Sequence, residues 1–274
     1  MFEIAGPAPL EPARLRLLEP PGSSEAELQR RLTQGTYDKP FIVDSGPLRL
    51  LHFDLDNVQS AMFHADPDAL CLAYTRKMMS FLLFNSEPQR LLLLGLGGGS
   101  LAKFCYRHLH TAHITVLEID PHVMAFRDEF RVPADDQRFR VLNTDGVYYV
   151  ASRSERQDVI LVDACDRNGV APALSDPHVY ANLRRKLALR GILVMNICGE
   201  GADVEGHLGR ICGVFGTNII TLPAQEDGNL IVMAFRTPPR LWDGVRLDRH
   251  ARNLADRFGL DFPRYARKMV YGIA

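Results

Sequence analysis

Asp163 and Asp166 are the side chains whose type and spacing point most directly to chemistry. They stand three residues apart and follow the apolar run 159–162 as Asp163-Ala164-Cys165-Asp166. Two carboxylates at that spacing can bind a cationic amine, and one of them can accept a proton while the nitrogen attacks. Like charges raise one another's pKa, and a bound cation offsets the rise. The purely structural alternative is a helix cap beside a solvated loop. Cys165 reads as a small filler, since no histidine partner marks it as a nucleophile.

A second set of residues points to a nucleoside. Four leucines at 91–94 lead into Gly95-Leu96-Gly97-Gly98-Gly99-Ser100. The run reads as a strand buried on both faces, and the glycines let a ligand lie against bare backbone at a helix N-terminus. No Gly-Lys-Ser/Thr follows, so this is not a P-loop, and Ser100 takes the last glycine position of a dinucleotide fingerprint. Glu118 closes the next apolar run, 23 residues after Gly95, where a doubly wound sheet sets an acid on a ribose diol. Asp145-Gly146 follows a third strand; Asp145 either caps the next helix or contacts an adenine amino group, and the two are compatible.

The elements that must position these groups alternate. Strands are expected at 91–95, 114–119, 138–143, 158–163, 191–197, 217–222 and 229–235, and helices at about 100–110, 121–130, 145–152, 176–188 and 202–213. That alternation means a parallel sheet covered on both faces. Between the strand-like runs 217–222 and 230–235 lie only residues 223–229, too few for a helical crossover, so that pair must be antiparallel. The fold class expected is therefore α/β, a Rossmann-like class I methyltransferase fold with seven strands. It divides into an irregular, proline-rich extension (1–40, with one short helix to about 34), a small antiparallel β unit with a linking helix (41–88), the nucleoside-binding domain (89–236) and a helical tail (237–274).

Composition narrows the partners. The 274 residues carry a net charge of -1, with 46% apolar and 24% charged residues, as in an ordinary globular protein. The charge balance argues against nucleic acid or an anionic membrane surface as a dedicated partner, and no apolar stretch reaches spanning length. Five dispersed cysteines without a Cys-x-x-Cys pair suggest reduced thiols, no metal site and a cytoplasmic setting. The start of the chain lacks the basic region and apolar core of a signal peptide.

Gln59, Tyr74, the 95–99 glycine loop, Glu118-Ile119-Asp120, Asp145-Gly146, Asp163-Ala164-Cys165-Asp166 and the 223–228 loop occur in an order that resembles the spermidine synthase family. The resemblance covers roughly residues 37–236. It implies transfer of an aminopropyl group from decarboxylated S-adenosylmethionine to a small amine, and a homodimer. It also implies roles. Gly95, Gly97, Gly98 and Gly146 would line the donor site, and Gln59 would touch the nucleoside. Glu118 would hold the ribose and Asp145 the adenine. Asp163 would deprotonate the attacking amine with help from Tyr74, Asp166 would bind the far ammonium, and Gln225 would stand in the acceptor loop. The family's loop reads Gly-Gly-Gly-Asp-Gly, and its Asp aligns with Gly98; that Asp grips the donor ammonium and repels the carboxylate of S-adenosylmethionine. Its loss, at about 1.5–3 kcal/mol for a buried charged contact, relaxes donor choice. S-Adenosylmethionine as the donor, for alkyl or methyl transfer, is the alternative this leaves open, as is a non-catalytic nucleoside-binding homologue.

Overall fold

The computed structural model describes all residues except 8–9, 11, 167–168, 200–201, 225–227, 240–242 and 273–274. The chain opens with β1 (Phe2–Ala5) and β2 (Arg14–Leu17), then α1 (Glu25–Thr33), capped by the Ser24 side chain. β3 (Phe41–Ser45), β4 (Leu48–His52) and β5 (Val58–Phe63) follow, and the five strands form one antiparallel sheet in chain order. The expectation of an irregular segment 1–40 is thus corrected. Ile4, Leu15 and Leu17 alternate inward onto Leu28, Leu32 and Phe41, and this alternation makes strands despite the flanking prolines. α2 (Ala73–Met78), continued by a 3-10 turn over Met79–Leu83, links this sheet to the next domain. The linking helix expected within 41–88 is thus a short α-helix ending in a tighter turn.

The larger sheet begins with β6 (Arg90–Leu94), α3 (Ser100–His108), β7 (His113–Glu118), α4 (Pro121–Met124), β8 (Phe139–Asn143), α5 (Gly146–Ser152) and β9 (Gln157–Val162). A two-residue ribbon, β10 (Cys165–Asp166) with β11 (Gly169–Val170), precedes α6 (Pro177–Lys186), β12 (Leu187–Ile197), α7 (Ala202–Phe215), β13 (Ile219–Ala224) and β14 (Asn229–Phe235). The tail forms α8 (Gly244–Phe258), α9 (Phe262–Lys268) and β15 (Val270–Tyr271). The sheet order is β15-β13-β14-β12-β9-β6-β7-β8. β12, β9, β6, β7 and β8 run parallel, and β13 and β14 are antiparallel to each other as the short connection required. The seven expected strands are present, and β15 adds an eighth at the edge.

Strand residues alternate between two cores. Leu91, Leu93, Val116 and Leu161 face the layer of α3, α8 and α9, while Leu92, Leu94, Leu117 and Val162 face α5, α6 and α7. The helical tail thus covers one face of the sheet. Chain order reverses between β6 and β9, so a crevice opens at the carboxyl ends of these strands.

Candidate active site

That crevice is a cavity of about 890 Å³, a size suited to a nucleoside-sized ligand plus a small co-substrate. The half expected to take the nucleoside holds Glu118. One carboxylate oxygen accepts from the Leu96 backbone N–H and the other from the Asp120 N–H, each at 2.9 Å. The buried carboxylate is held rigidly at the end of β7, and each oxygen keeps a lone pair for a hydroxyl of a diol. Gly95, Gly97, Gly146 and Asp145 line the same half, as does Gln59 on β5 of the smaller sheet. Asp145 caps α5 through Val147 N at 2.7 Å, as one of its two readings expects, and it also lines the cavity.

Gly98 is the exception among the expected donor residues. It is buried behind the loop and does not line the cavity. A Cβ there would lie 2.7 Å from Ser60 Oγ and 2.8 Å from the Phe130 ring. Lys103 Nζ, whose pKa burial lowers to about 8, fixes the Phe130 carbonyl at 2.7 Å. Ser60 Oγ meets Ser100 Oγ at 3.3 Å, so the smaller sheet clasps the glycine loop from behind.

The other half centres on Asp163, just past the end of β9. Asn196 Nδ2 donates to its Oδ1 at 2.9 Å, and the Tyr74 hydroxyl donates to its Oδ2 at 3.2 Å. Burial raises the Asp163 pKa, and these two hydrogen bonds only partly offset it. The result is a fixed carboxylate with enhanced proton affinity, as a general base requires. Asn196 escaped the sequence reading. The signal was there: like Glu118 and Asp163, it is a polar residue at the end of an apolar run, here Leu193-Val194-Met195.

Asp166 is placed in β10, paired with Gly169 through its backbone. Gln225 lies outside the described residues. The cysteines need correction: Cys165 is neither a filler nor a free thiol but is bonded to Cys198 across 33 residues. Adjacent strands bring the two together, a pairing invisible in linear spacing. Among the described residues no group of three or more His, Cys, Asp or Glu is gathered to hold a metal.

Residues 71–200 match the family model described as spermine/spermidine synthase domain. A polyamine aminopropyltransferase from Chromobacterium violaceum is 35% identical over 229 residues, 83% of this chain and 88% of that protein. In fold, the chain matches a probable spermidine synthase from Corynebacterium glutamicum with a TM-score of 0.65 at 19% identity, covering 85% of this chain and 87% of that one. Human methyltransferase-like protein 13 in complex with SAH matches with a TM-score of 0.62 at 22% identity, over 69% of this chain and 93% of that one.

Proposed function

The chain belongs to the polyamine aminopropyltransferase family and is a transferase, and from that premise we infer that it moves the aminopropyl group of decarboxylated S-adenosylmethionine to a small primary amine. The observation that carries this reading is the Asp163 carboxylate, held by Asn196 and Tyr74 in the cavity that also contains Glu118. Glu118, Gln59 and Asp145 bind the nucleoside and so fix the sulfonium. The amine nitrogen attacks the aminopropyl carbon beside sulfur. The carbon–sulfur bond breaks, its electron pair neutralises the sulfonium, and methylthioadenosine leaves. Asp163 takes the proton that the nitrogen loses, and holding both reactants in one cavity supplies the effective concentration. The family resemblance gives the far ammonium of the amine to Asp166 and the acceptor loop to Gln225, and this reading keeps both roles.

Replacing Asp163 with Asn tests it. Turnover is expected to fall by roughly two to four orders of magnitude, with methylthioadenosine affinity retained; unchanged turnover would end the assignment. A cytoplasmic, dimeric enzyme goes with this reading, and sedimentation velocity decides the dimer. No described helix is long and apolar enough to cross a membrane.

One observation favours a second reading, methyl transfer from S-adenosylmethionine. Gly98 provides no carboxylate to repel that donor's own carboxylate, and Ser60 and Phe130 occupy the space such a side chain would need. Parallel calorimetric titration with the two sulfonium donors separates the readings: tighter binding of the decarboxylated form supports aminopropyl transfer, and equal or weaker binding supports methyl transfer.

A further inference from the structure

The Cys165–Cys198 disulfide sits beside the reacting groups. Cys165 follows Asp163 by two residues and Cys198 follows Asn196 by two. Both cysteines are partly buried and line the cavity. β9 and β12 are neighbours, with Val162 opposite Met195 as the last paired residues, so the disulfide adds a covalent rung just beyond the ladder. The Asn196 amide joins the two systems, donating to Asp163 Oδ1 at 2.9 Å and to Cys165 Sγ at 3.7 Å. β10, which starts at Cys165, pairs with β11 over only two positions, and so short a ribbon is marginal by itself. The disulfide anchors it to the main sheet. The hydrogen bonds of Glu118 and Asp145 involve neither the disulfide nor the ribbon: they come from the backbone amides of residues 96, 120 and 147.

We propose that Cys165 and Cys198 form a reversible thiol–disulfide switch on the acceptor side of the cavity; the proposal rests on reading that side as the amine site. A dithiol is the reductant. One of its thiolates attacks one sulfur, the S–S bond breaks, and the other cysteine leaves as a thiolate. The second thiol of the reductant then resolves the mixed disulfide. Two electrons and two protons pass to the chain, which gains two thiols, and the reductant becomes a disulfide. In the oxidised chain the rung fixes the Asp163–Asn196 pair. In the reduced chain the ribbon loses its anchor and amine binding weakens, while nucleoside binding stays as it was.

The full chain, treated with dithiothreitol or with its oxidised form, provides the test. Alkylation and mass measurement count the thiols opened without denaturant. Hydrogen exchange reads segments 157–166 and 192–199, kinetics give the amine KM, and calorimetry gives methylthioadenosine affinity. Reduction is expected to expose two additional thiols, speed exchange in both segments and raise KM about fivefold or more, with nucleoside affinity constant within about twofold. The double variant Cys165→Ser, Cys198→Ser should show the higher KM in both treatments. The switch is overturned if the bond opens without changing exchange or KM, or if it opens only on unfolding. It is also overturned if the double variant still responds to redox, since Cys71, Cys105 or Cys212 would then be responsible. If no amine reacts in either state, the transfer reading fails, and hydrogen exchange still decides the switch.

Discussion

At the scale of single residues, the site is a carboxylate kept where ionisation is costly. Burial raises the Asp163 pKa, against the hydrogen bonds from Asn196 and Tyr74. A raised carboxylate pKa means that the native state holds its proton to higher pH than the unfolded chain does. This group's contribution to stability therefore declines as pH climbs from the ordinary value of 3.8 through the raised one. Asp163→Asn should accordingly melt no lower than the parent near neutrality while losing turnover, a separation that thermal unfolding and kinetics read together. Asn196 acts through Asp163. Asn196→Leu removes a donor that favours the ionised form, so the Asp163 pKa rises further and the acid limb of the kcat/KM profile moves to higher pH. A hydrogen bond to a charged group is worth about 1.5–3 kcal/mol, so turnover near neutrality should drop roughly tenfold to a hundredfold. A drop in turnover with an unmoved acid limb would mean that Asn196 supports the fold rather than the base.

At the scale of elements, the glycine loop and Asp163, the proposed base, are one construction. Gly95 adopts φ +98°, and a Cβ there would meet the Asp163 carbonyl oxygen at 2.1 Å. The turn after β6 can therefore pass the end of β9 only as glycine. Gly95→Ala must displace the backbone that carries the base, so both stability and activity should suffer. A cost of about 1–3 kcal/mol, read as a lower urea midpoint, is expected with weakened nucleoside binding. This coupling also marks how far the sequence was legible. Alternating apolar runs and a seven-residue connection sufficed for the parallel sheet and its antiparallel end. Glu118 and Asp163 stood out because a charge ending a buried strand needs a partner. Asn196 carried the same signal without a charge, and its hydrogen bond to Asp163 depends on β12 lying beside β9. Cys165 and Cys198 are joined by the same adjacency. Strands β1 and β2 were masked by prolines around a short inward alternation of Ile4, Leu15 and Leu17. Gly98 was placed in the donor site by its position in the loop, and its burial depends on Ser60, which arrives from the other sheet.

At the scale of the whole molecule, the smaller sheet is a wall of the active site as well as an appendage to it. β5 brings Gln59 to the cavity and Ser60 to the back of the glycine loop. Besides the Ser60–Ser100 hydrogen bond, two further kinds of contact hold the sheet in place. Ile42, Leu51 and Met62 share the core layer that contains Phe126 and Phe130. Beside them lies an ionic network: Arg49 grips Asp44 with two nitrogens at 2.7 and 2.9 Å, and it reaches Glu129 at 2.6 Å. Arg16 joins Glu129 at 2.8 Å. Glu129 is the acid in this network contributed by the larger domain, one residue before the Phe130 that packs under Gly98. Burial alone would raise the Asp44 pKa, but the Arg49 hydrogen bond and charge lower it further, leaving it below the ordinary value. The stability from that pairing is present above about pH 4 and is lost as pH falls through the lowered value. Glu129→Ala leaves Arg16 and Arg49 to share Asp44 within the smaller sheet and cuts the ionic link to the larger domain. The expected cost is about 1–3 kcal/mol in the urea midpoint. Because Gln59 and Ser60 belong to that sheet, methylthioadenosine affinity should fall in the same variant, although Glu129 does not line the cavity. Lost stability with unchanged nucleoside affinity would show that the remaining contacts, the apolar layer with the Ser60–Ser100 hydrogen bond and the Arg49 bond to the residue 129 carbonyl, keep β5 against the glycine loop.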